Sequence, residues 1–457
     1  MLRQRRGRSR RVLFLVHALP PAENTGTPLV AAGYAAAAEQ LGWKATVVYA
    51  DPTRASWDHI RGSKDPAGFT RYGVPAECFG TWAITAASAP SDPKSPASRF
   101  FAELLRHVKP DVVHVVDNVH LPLDWPELAA ASGIPVIRTV SAPEDICGLT
   151  GPVSPLSGPR GFCQAPLTAE RCAACLAAAL GGTYAPDDGS AYQPHILDQL
   201  LAKRSRAEHQ FQTVFDKIVF ATPGYRGYFE ETIPLDPGRV RVIEMGLDIE
   251  RWHVSDMRTI DAFANPIVFV LAGSLHPARG QQDAVQAFSR PALVGRDDYR
   301  LHIMGNGDES IVAPLLQVNA NVSSLGTFTP DDLPSLLAQA HVGISTSLFE
   351  TFHRVTREYF LAGLPIVANP TFGIEHLVAD GVNGLLYDRT DPAGLADAVS
   401  RLLDDRPLLD RLARGARASA LQIRSVDQEM ETLVALYEEV AGQAPGRSRR
   451  SVLGRGR

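Results

Sequence analysis

The sequence contains no apolar run that approaches the roughly 20 residues a helix needs to cross a lipid bilayer. Its first apolar run, Val12–Val16, is also too short for the core of a signal peptide. We interpret that run as the first strand of the fold and expect a cytoplasmic protein. Hydrophobic residues make up 45% and charged residues 21% of the 457 positions, which is typical of a globular α/β protein of two or three domains.

Charge is distributed unevenly along the chain. The net charge is −5, but arginine is concentrated in residues 1–10 and 442–457, so the body between these tails is acidic. Basic segments with glycine and serine favour disorder, and we predict disordered tails at both ends. Their attraction to an anionic membrane surface stays open as a peripheral contact. We expect no specific nucleic-acid binding.

Strand-like and helix-like segments alternate along the whole chain, which predicts parallel sheets in an α/β fold. We predict two Rossmann-like, doubly wound domains. The first covers 11–248 and the second 265–425, with a linker at 249–264. A last helix at 426–441 is expected to pack back onto the first domain.

Two glutamates, Glu350 and Glu358, are separated by seven residues in the second half of the chain. A buried strand ends just before Glu350, which places it on a loop at the carboxyl end of a strand, while Glu358 falls inside the next helix. Ligands of open α/β sheets bind at such positions, and the free N–H groups of a helix start favour phosphate. The alternative is a solvated helix with two surface carboxylates.

The order of residues around this pair resembles the donor-site signature of the retaining glycosyltransferases of family four. Phe352 and His353 stand between the glutamates, and the segments 362–368 (AGLPIVA) and 380–384 (DGVNG) follow. The resemblance implies the GT-B fold, in which two Rossmann-like domains face each other across a cleft. It also implies retaining transfer of a sugar from a nucleotide-diphosphate sugar to a hydroxyl of a glycan, lipid or small molecule. No cofactor is required for catalysis in that family.

The resemblance assigns roles in the second domain to both carboxylates. Glu358 is expected to accept hydrogen bonds from the ribose hydroxyls. Glu350 is expected to bind hydroxyls of the donor sugar, or to stabilise positive charge near the anomeric carbon. The backbone N–H groups of residues 352–355, which include Arg354 and Val355, should approach the distal phosphate and the sugar.

A second segment, from Gly273 and Ser274 to Arg279, resembles the part of the family that binds the diphosphate with two basic residues. Arg279 replaces the usual lysine and can bind phosphate oxygens bidentately. Ser274 replaces the usual arginine, so one cation is missing. His353 stands where the family has glycine, a residue that permits close backbone approach.

In the first domain, the loop after the first strand resembles the family's glycine-rich loop near the acceptor and the donor phosphate. Gly26 and Thr27 occupy that place. The family's catalytic histidine is absent, because Ser141 stands at its position. His17 or His120 is our candidate for a histidine near the reacting carbon.

An insertion at about 141–188 contains a cluster of cysteines, with fifteen, eight and two residues between successive members. The members are Cys147, Cys163, Cys172 and Cys175. The C-x-x-C end has the spacing of a metal knuckle, and a subset of the family has a similar insertion. We expect a structural Zn²⁺. An iron–sulfur cluster and unlinked thiols stay open, and disulfides are less expected in a cytoplasmic chain.

Two other classes of protein share the arrangement of two Rossmann-like domains. A glycan phosphorylase needs a lysine in the second domain to bind pyridoxal phosphate, and the last lysine is Lys217, which excludes that class. A non-catalytic partner or scaffold that binds a nucleotide sugar without turnover is favoured by Ser141, Ser274 and His353. The presence of both Glu350 and Glu358 argues against it.

Overall fold

The computed structural model of the protein describes residues 9–23, 26–76, 94–117, 119–147, 161–179, 192–252 and 260–443. Most of both basic tails, part of the linker and parts of the cysteine-rich insertion therefore lie outside the described residues. The disorder and the membrane contact expected for the tails stay predictions.

The described strands of the first half form one eight-stranded sheet in the order β3-β4-β2-β1-β5-β6-β7-β8. All neighbours pair in parallel except β3 and β4. The central strands read as apolar runs because helices cover both faces of the sheet. The strands are β1 Arg11–Val16, β2 Lys44–Asp51, β3 Ser63–Lys64, β4 Thr70–Pro75, β5 Val112–Val115, β6 Val136–Val140, β7 Lys217–Phe220 and β8 Val240–Val242.

The described strands of the second half form a six-stranded parallel sheet in the order β11-β10-β9-β12-β13-β14. The order reverses between β9 and β12, which is where ligands of such sheets bind. The strands are β9 Ile267–Ala272, β10 Tyr299–Met304, β11 Val322–Gly326, β12 Val342–Ser345, β13 Ile366–Ala368 and β14 Gly384–Leu386.

Helices connect the strands and cover the sheets. Those of the first domain are α1 Gly26–Gln40, α2 Pro96–Val108, α3 Trp125–Ala131, α4 Ala169–Ala179, α5 Tyr192–His209 and α6 Pro223–Glu230. Those that follow are α7 Gln281–Phe288, α8 Pro291–Val294, α9 Ala313–Val318, α10 Leu333–Leu337, α11 Arg354–Leu361, α12 Phe372–Glu375, α13 Gly394–Asp404, α14 Arg406–Ala420 and α15 Val426–Gly442. The two-domain α/β fold expected from the sequence is confirmed.

Helix α15 packs against the first domain, although it follows the second in sequence. Ser425 caps it, together with Gln428, in a capping box. Its buried residues, among them Leu433 and Tyr437, share a core cluster with strand β1. The hydroxyl of Tyr437 lies 2.6 Å from Nδ1 of His114 in β5. The chain therefore crosses between the domains twice.

Two local features differ from the sequence-based expectation. Helix α1 begins at Gly26, so Thr27 lies in its first turn and not in the preceding loop. Strands β3 and β4 lie within a stretch that carried only weak signals. They lie at one edge of the sheet, and apart from Val74 and Pro75 at the end of β4 their residues are exposed or half-buried, so they lack the apolar runs that reveal the central strands.

Candidate active site

The donor loop, which we define as residues 346–353, follows β12 and leads into helix α11. Glu350 lies on this loop, and its carboxylate accepts a hydrogen bond from the guanidinium of Arg279. The backbone of the loop is joined to the segment that carries Arg279, because Thr346 Oγ1 donates to Arg279 O at 2.8 Å. Two segments that the sequence singled out separately therefore meet in one site.

Gly280 makes this close approach between the two segments possible. Its φ of +64° is in the left-handed region, and a Cβ atom there would lie 2.1 Å from the carbonyl oxygen of Thr346. Earlier in the same segment, Gly273 has a φ of +141° at the end of β9. The main-chain oxygen of Ser274 accepts from the side-chain amide of Gln281 at 2.8 Å. The segment is thus fixed at several points.

His353 occupies the glycine-like position with a left-handed φ of +56° and caps helix α11 with its own side chain. Its Nδ1 accepts from the Thr356 N–H at 3.2 Å, so the proton is on Nε2, which lies 3.0 Å from Ser345 Oγ. Burial, helped by the positive charges of Arg279 and Arg357, lowers the pKa of His353 to about 3, and the imidazole is neutral. The ring is turned into the second domain.

The backbone at Phe352 and His353 packs closely against Gly373. A Cβ on Gly373 would lie 2.3 Å from the carbonyl carbon of Phe352, so Gly373 permits the contact from the opposite side. Phe352 is buried, and the guanidinium of Arg357 stacks over its ring, 3.6 Å from the ring centroid.

Glu358 is nearly buried, and its carboxylate accepts from Nε of Arg354 at 2.8 Å. Both candidate donor-binding carboxylates therefore hold an arginine, Glu350 with Arg279 and Glu358 with Arg354. Val355 lies beside them in the first turn of α11, half-buried against the core of the second domain. The N–H groups of this first turn precede the intrahelical hydrogen bonds and are suited to an anion.

The donor loop also contacts the first domain. Thr351, next to Glu350, donates its hydroxyl to the main-chain oxygen of Ser141 at 2.6 Å, just after β6. The hydroxyl of Thr222 donates to Thr351 O at 2.8 Å. The carboxyl end of β6 therefore lies against the loop that carries Glu350.

The first domain contributes a histidine held between two carboxylates. Nδ1 of His17 lies 2.7 Å from Asp117 Oδ2, and Nε2 lies 3.2 Å from Glu23 Oε2. Burial alone would lower the pKa of His17, but Asp117 and Glu23 outweigh it and raise the pKa to about 9. The ring of His120 lies 6.3 Å away, centroid to centroid. His17 and Asp117 follow β1 and β5, at the sheet edge that also contains Ser141.

Three residues of this region were not singled out from the sequence. Asp117 is a lone acid after a strand, a pattern that carries no specific signal. Arg357 is fully buried and donates to Glu244 at the end of the first domain, with its Nε 2.9 Å from Glu244 Oε1. Such a pair, 113 residues apart, is invisible in the sequence.

The four cysteines lie near one another around Tyr228 and Arg204. Burial raises the pKa of the Cys172 thiol, and the adjacent thiols of Cys175 and Cys163 add to this, while Arg204 opposes it. Cys147 and Cys163 are among the neighbours of Tyr228. Within the described ranges, no group of three or more histidines, cysteines or acids is arranged to hold a metal ion. The zinc site expected from the spacing is therefore not shown.

Comparison with known proteins finds similarity to glycosyltransferases. The sequence model described as "Glycosyl transferases group 1" matches residues 266–405, which lie within the second domain. D-inositol 3-phosphate glycosyltransferase of Geodermatophilus obscurus is 29% identical over 265 residues, 54% of this chain and 58% of the relative. N-acetyl-alpha-D-glucosaminyl L-malate synthase of Bacillus anthracis is 30% identical over 162 residues, 35% of this chain and 41% of the relative. The chain spans a little over half the length of the first of these relatives.

Solved structures of GT-B glycosyltransferases share the whole fold. Sucrose-phosphate synthase of Thermosynechococcus elongatus superposes with a TM-score of 0.64 at 14% identity, covering 95% of this chain and all of that one. Anabaena HepE, solved with UDP and glucose, gives a TM-score of 0.61 at 16% identity, covering 93% and 98%. The fold is therefore that of the GT-B glycosyltransferases. In the described part of the chain, every helix is too short or too polar to cross a membrane.

Proposed function

We propose that this chain is a retaining glycosyltransferase that moves a sugar from a nucleotide-diphosphate sugar to a hydroxyl acceptor. The observation that carries the proposal is the donor loop. The loop and the helix α11 that follows it present Glu350 and Glu358, each held by an arginine, at the edge of the second sheet that faces the first domain. The family match of residues 266–405 includes this loop and supports the assignment.

Arg279 is proposed to compensate the charge of the diphosphate. In the ligand-free protein its guanidinium binds Glu350, and in the donor complex it turns to the phosphate oxygens. This exchange releases the Glu350 carboxylate to accept hydrogen bonds from the donor sugar. The first-turn N–H groups of α11, at Arg354 and Val355, add fixed donors for the distal phosphate.

Arg354 is proposed to supply the positive charge that Ser274 does not. Its side chain is about one-third exposed and starts from the first position of α11, where a phosphate would bind. When the ribose hydroxyls bind Glu358, the guanidinium is displaced toward the diphosphate. When the donor binds, the two arginines thus leave the two carboxylates and compensate the charge of the diphosphate. The carboxylates then accept hydrogen bonds from the hydroxyls of the sugar and the ribose.

On the acceptor side, His17 is proposed to take the place of the histidine that Ser141 replaces. Asp117 fixes the ring by accepting from Nδ1, which directs Nε2 toward Glu23 at the rim of the cleft. An acceptor hydroxyl that displaces Glu23 would bind Nε2. Gly26 and Thr27 begin α1 a few residues after Glu23, and His120 lies next to the ring of His17. All three residues are proposed acceptor contacts.

The first donor to test is a UDP-sugar. Anabaena HepE was solved in complex with UDP-glucose, and an Escherichia coli neighbour bound with UDP-2-fluoro glucose superposes with a TM-score of 0.59 at 14% identity, covering 94% of this chain and 99% of that one. These ligands are bound by those proteins, and we extend the ligand class to this chain as part of the proposal. A cytoplasmic location, with a peripheral membrane contact through the tails, belongs to the same proposal.

A thermal-shift screen with UDP-, GDP-, ADP- and dTDP-sugars tests donor binding. A ligand present at 100 times its Kd stabilises a protein by about 2.7 kcal/mol. We expect one nucleotide to raise the melting temperature of the wild type and of Glu309→Gln, an exposed control in the second domain. Glu358→Gln should lose most of the shift. No shift with any of the four donors would contradict the proposal.

Turnover separates an enzyme from a partner that only binds. With the selected donor and a panel of hydroxyl acceptors, proton NMR of the product reports the anomeric configuration. We expect the configuration of the donor to be kept. Tight binding without release of the nucleotide diphosphate, in buffer or with any acceptor, would favour the non-catalytic alternative.

We also propose that the four cysteines hold a structural Zn²⁺. Cys172 lies close to Cys163 and Cys175, three of the four cysteines are buried, and thiolates are the ligands that structural zinc prefers. We expect metal analysis of the full chain to find about one zinc per chain. The double variant Cys172→Ser, Cys175→Ser should lose it, and Cys78→Ser should not. Metal-free protein that is fully stable would contradict this proposal, and iron would identify the other metal.

A further inference from the structure

Aromatic side chains from both domains form a cluster around Phe349, next to Glu350. Phe349, the residue before Glu350, packs against the core of the first domain, as does Phe372. The ring of Phe162 lies 5.7 Å from each of them, centroid to centroid. Tyr228 lies 5.7 Å from Phe349 and 5.1 Å from Phe372. Phe162 comes from the cysteine-rich insertion and is buried between the two domains.

The backbone around Phe162 is fixed to the first domain. The hydroxyl of Tyr228 donates to Cys163 O at 2.8 Å, immediately after Phe162. Arg204 donates to the main-chain oxygens of Ile146 and Leu167 at 2.8 Å each. Both flanks of the insertion are thereby attached to helices α5 and α6. The backbone that carries Phe162 is therefore fixed to the first domain.

The insertion and the second domain are closely packed against each other at Gly161. Gly161 has a φ of +81°, and a Cβ there would lie 3.0 Å from Leu348 Cδ2 and 3.0 Å from Arg389 Nη1. Arg389 is itself bound to Asp283, with Nη2 3.0 Å from Oδ1. The insertion thus touches two consecutive residues of the donor loop, Leu348 through Gly161 and Phe349 through Phe162.

We propose that Phe162 is a positioning residue, which holds the donor loop so that the Glu350 carboxylate reaches the donor sugar. The backbone of the loop is bonded on the far side of Glu350, where Thr351 meets Ser141. On the near side, the ring of Phe349 is held by the aromatic cluster. Without Phe162 that ring loses a neighbour, and the loop gains freedom at Glu350. Displacements of about 1 Å at such a group weaken binding and catalysis strongly.

This inference deepens the proposed function and rests on it for one specific expectation. Glu350 is assigned to the sugar, whereas the ribose is assigned to Glu358, which lies in helix α11 and not on the loop. Loss of Phe162 should therefore weaken binding of UDP-glucose and leave binding of UDP nearly unchanged. A purely structural role would weaken both ligands alike, or neither.

The test compares the full chain with Phe162→Ala, Phe162→Leu and Phe100→Ala. Phe100 is a matched control, because it is a partly buried first-domain aromatic that packs on Trp57, Tyr72 and Trp125. Hydrogen exchange of the ligand-free proteins reports the loop directly. We expect Phe162→Ala to speed exchange in peptides over 346–353 by roughly tenfold, as for loss of two aromatic contacts. Phe162→Leu should restore most of the protection, and Phe100→Ala should not alter this loop.

Titration calorimetry with UDP and UDP-glucose provides the second readout. We expect Phe162→Ala to raise the Kd of UDP-glucose roughly tenfold and that of UDP less than about twofold. Unchanged exchange over 346–353 in a folded Phe162→Ala overturns the inference, and if that variant does not fold, Phe162→Leu against Phe100→Ala decides it. If the wild type binds none of the four nucleotide sugars of the thermal-shift screen, the proposed function fails, while the exchange data still decide whether Phe162 holds the loop.

Discussion

His353 illustrates how one residue can satisfy a backbone requirement that glycine usually meets. The donor loop must enter α11 through a left-handed residue, and a non-glycine side chain there costs about 1–2 kcal/mol. His353 offsets this cost by capping the helix and by binding Ser345, so its ring leaves the cleft free. The glycine that the resemblance leads one to expect and this histidine are two solutions to one local constraint.

A pair of substitutions tests that explanation. His353→Ala loses the cap and keeps the strained φ, so it should destabilise the protein by about 1 kcal/mol or more. His353→Gly loses the same cap but relieves the strain, and should be about 1 kcal/mol more stable than the alanine variant. Urea unfolding of the full chain measures the difference. Equal stability of the two variants would show that the backbone at 353 is not strained.

His17 should make stability depend on pH in a defined direction. Its folded pKa is raised to about 9 by Asp117 and Glu23, against an ordinary value of 6.5. A raised pKa contributes stability that is complete below pH 6.5 and is lost as the pH rises toward 9. His17→Gln should therefore destabilise most at pH 6 and least near pH 9. A stability difference that stays constant over this range would exclude the charged pair.

At the scale of elements, the apolar strands of both sheets were predictable, whereas β3 and β4 at one edge of the first sheet were not. Central parallel strands such as β1 are buried on both faces, which forces apolar runs into the sequence. Edge strand β3 has two exposed residues and carries no such pattern. Helix α15 was recognisable from its sequence pattern, but its close contact with the end of the first domain depends on a single glycine.

Gly246 provides that contact between the end of the first domain and the start of α15. A Cβ there would lie 2.2 Å from the carbonyl oxygen of Ser425, the residue that caps the helix. Gly246→Ala should lower the free energy of unfolding by about 1–3 kcal/mol, as expected for overpacking. Gly227→Ala is the control, because Gly227 lies in helix α6 with no atom near its added methyl, and should gain about 0.5–1 kcal/mol. Equal effects in urea unfolding would contradict the packing account.

At the scale of the whole molecule, the donor helix is attached to the first domain through the pair of Arg357 and Glu244. Arg357 is completely buried, so removal of Glu244 leaves a buried guanidinium with one partner fewer. Glu244→Ala should cost about 1–3 kcal/mol and increase the radius of gyration in small-angle scattering. Glu244→Gln keeps an acceptor and should change the radius less. An unaltered radius in Glu244→Ala would show that the pair does not hold the domains together.

The second-domain half of the site was more predictable from the sequence than the first-domain half. Glu350, Glu358 and Arg279 lie in two short segments with ordered neighbours, and such local patterns are readable. Asp117 and Glu244 gain their meaning only from partners about a hundred residues away, His17 and Arg357. Long-range contacts of single polar residues leave no periodic or spacing signal, so they became apparent only in the folded chain.

The central claim is that the carboxylates at 350 and 358 recognise a nucleotide-diphosphate sugar. Titration calorimetry of the full chain with the donor that the thermal-shift screen selects tests it most directly. We predict saturable binding by the wild type and an affinity at least tenfold weaker, about 1.4 kcal/mol, in both Glu358→Gln and Glu350→Gln. Wild-type binding that neither substitution weakens, or no binding of any nucleotide sugar, would contradict the account.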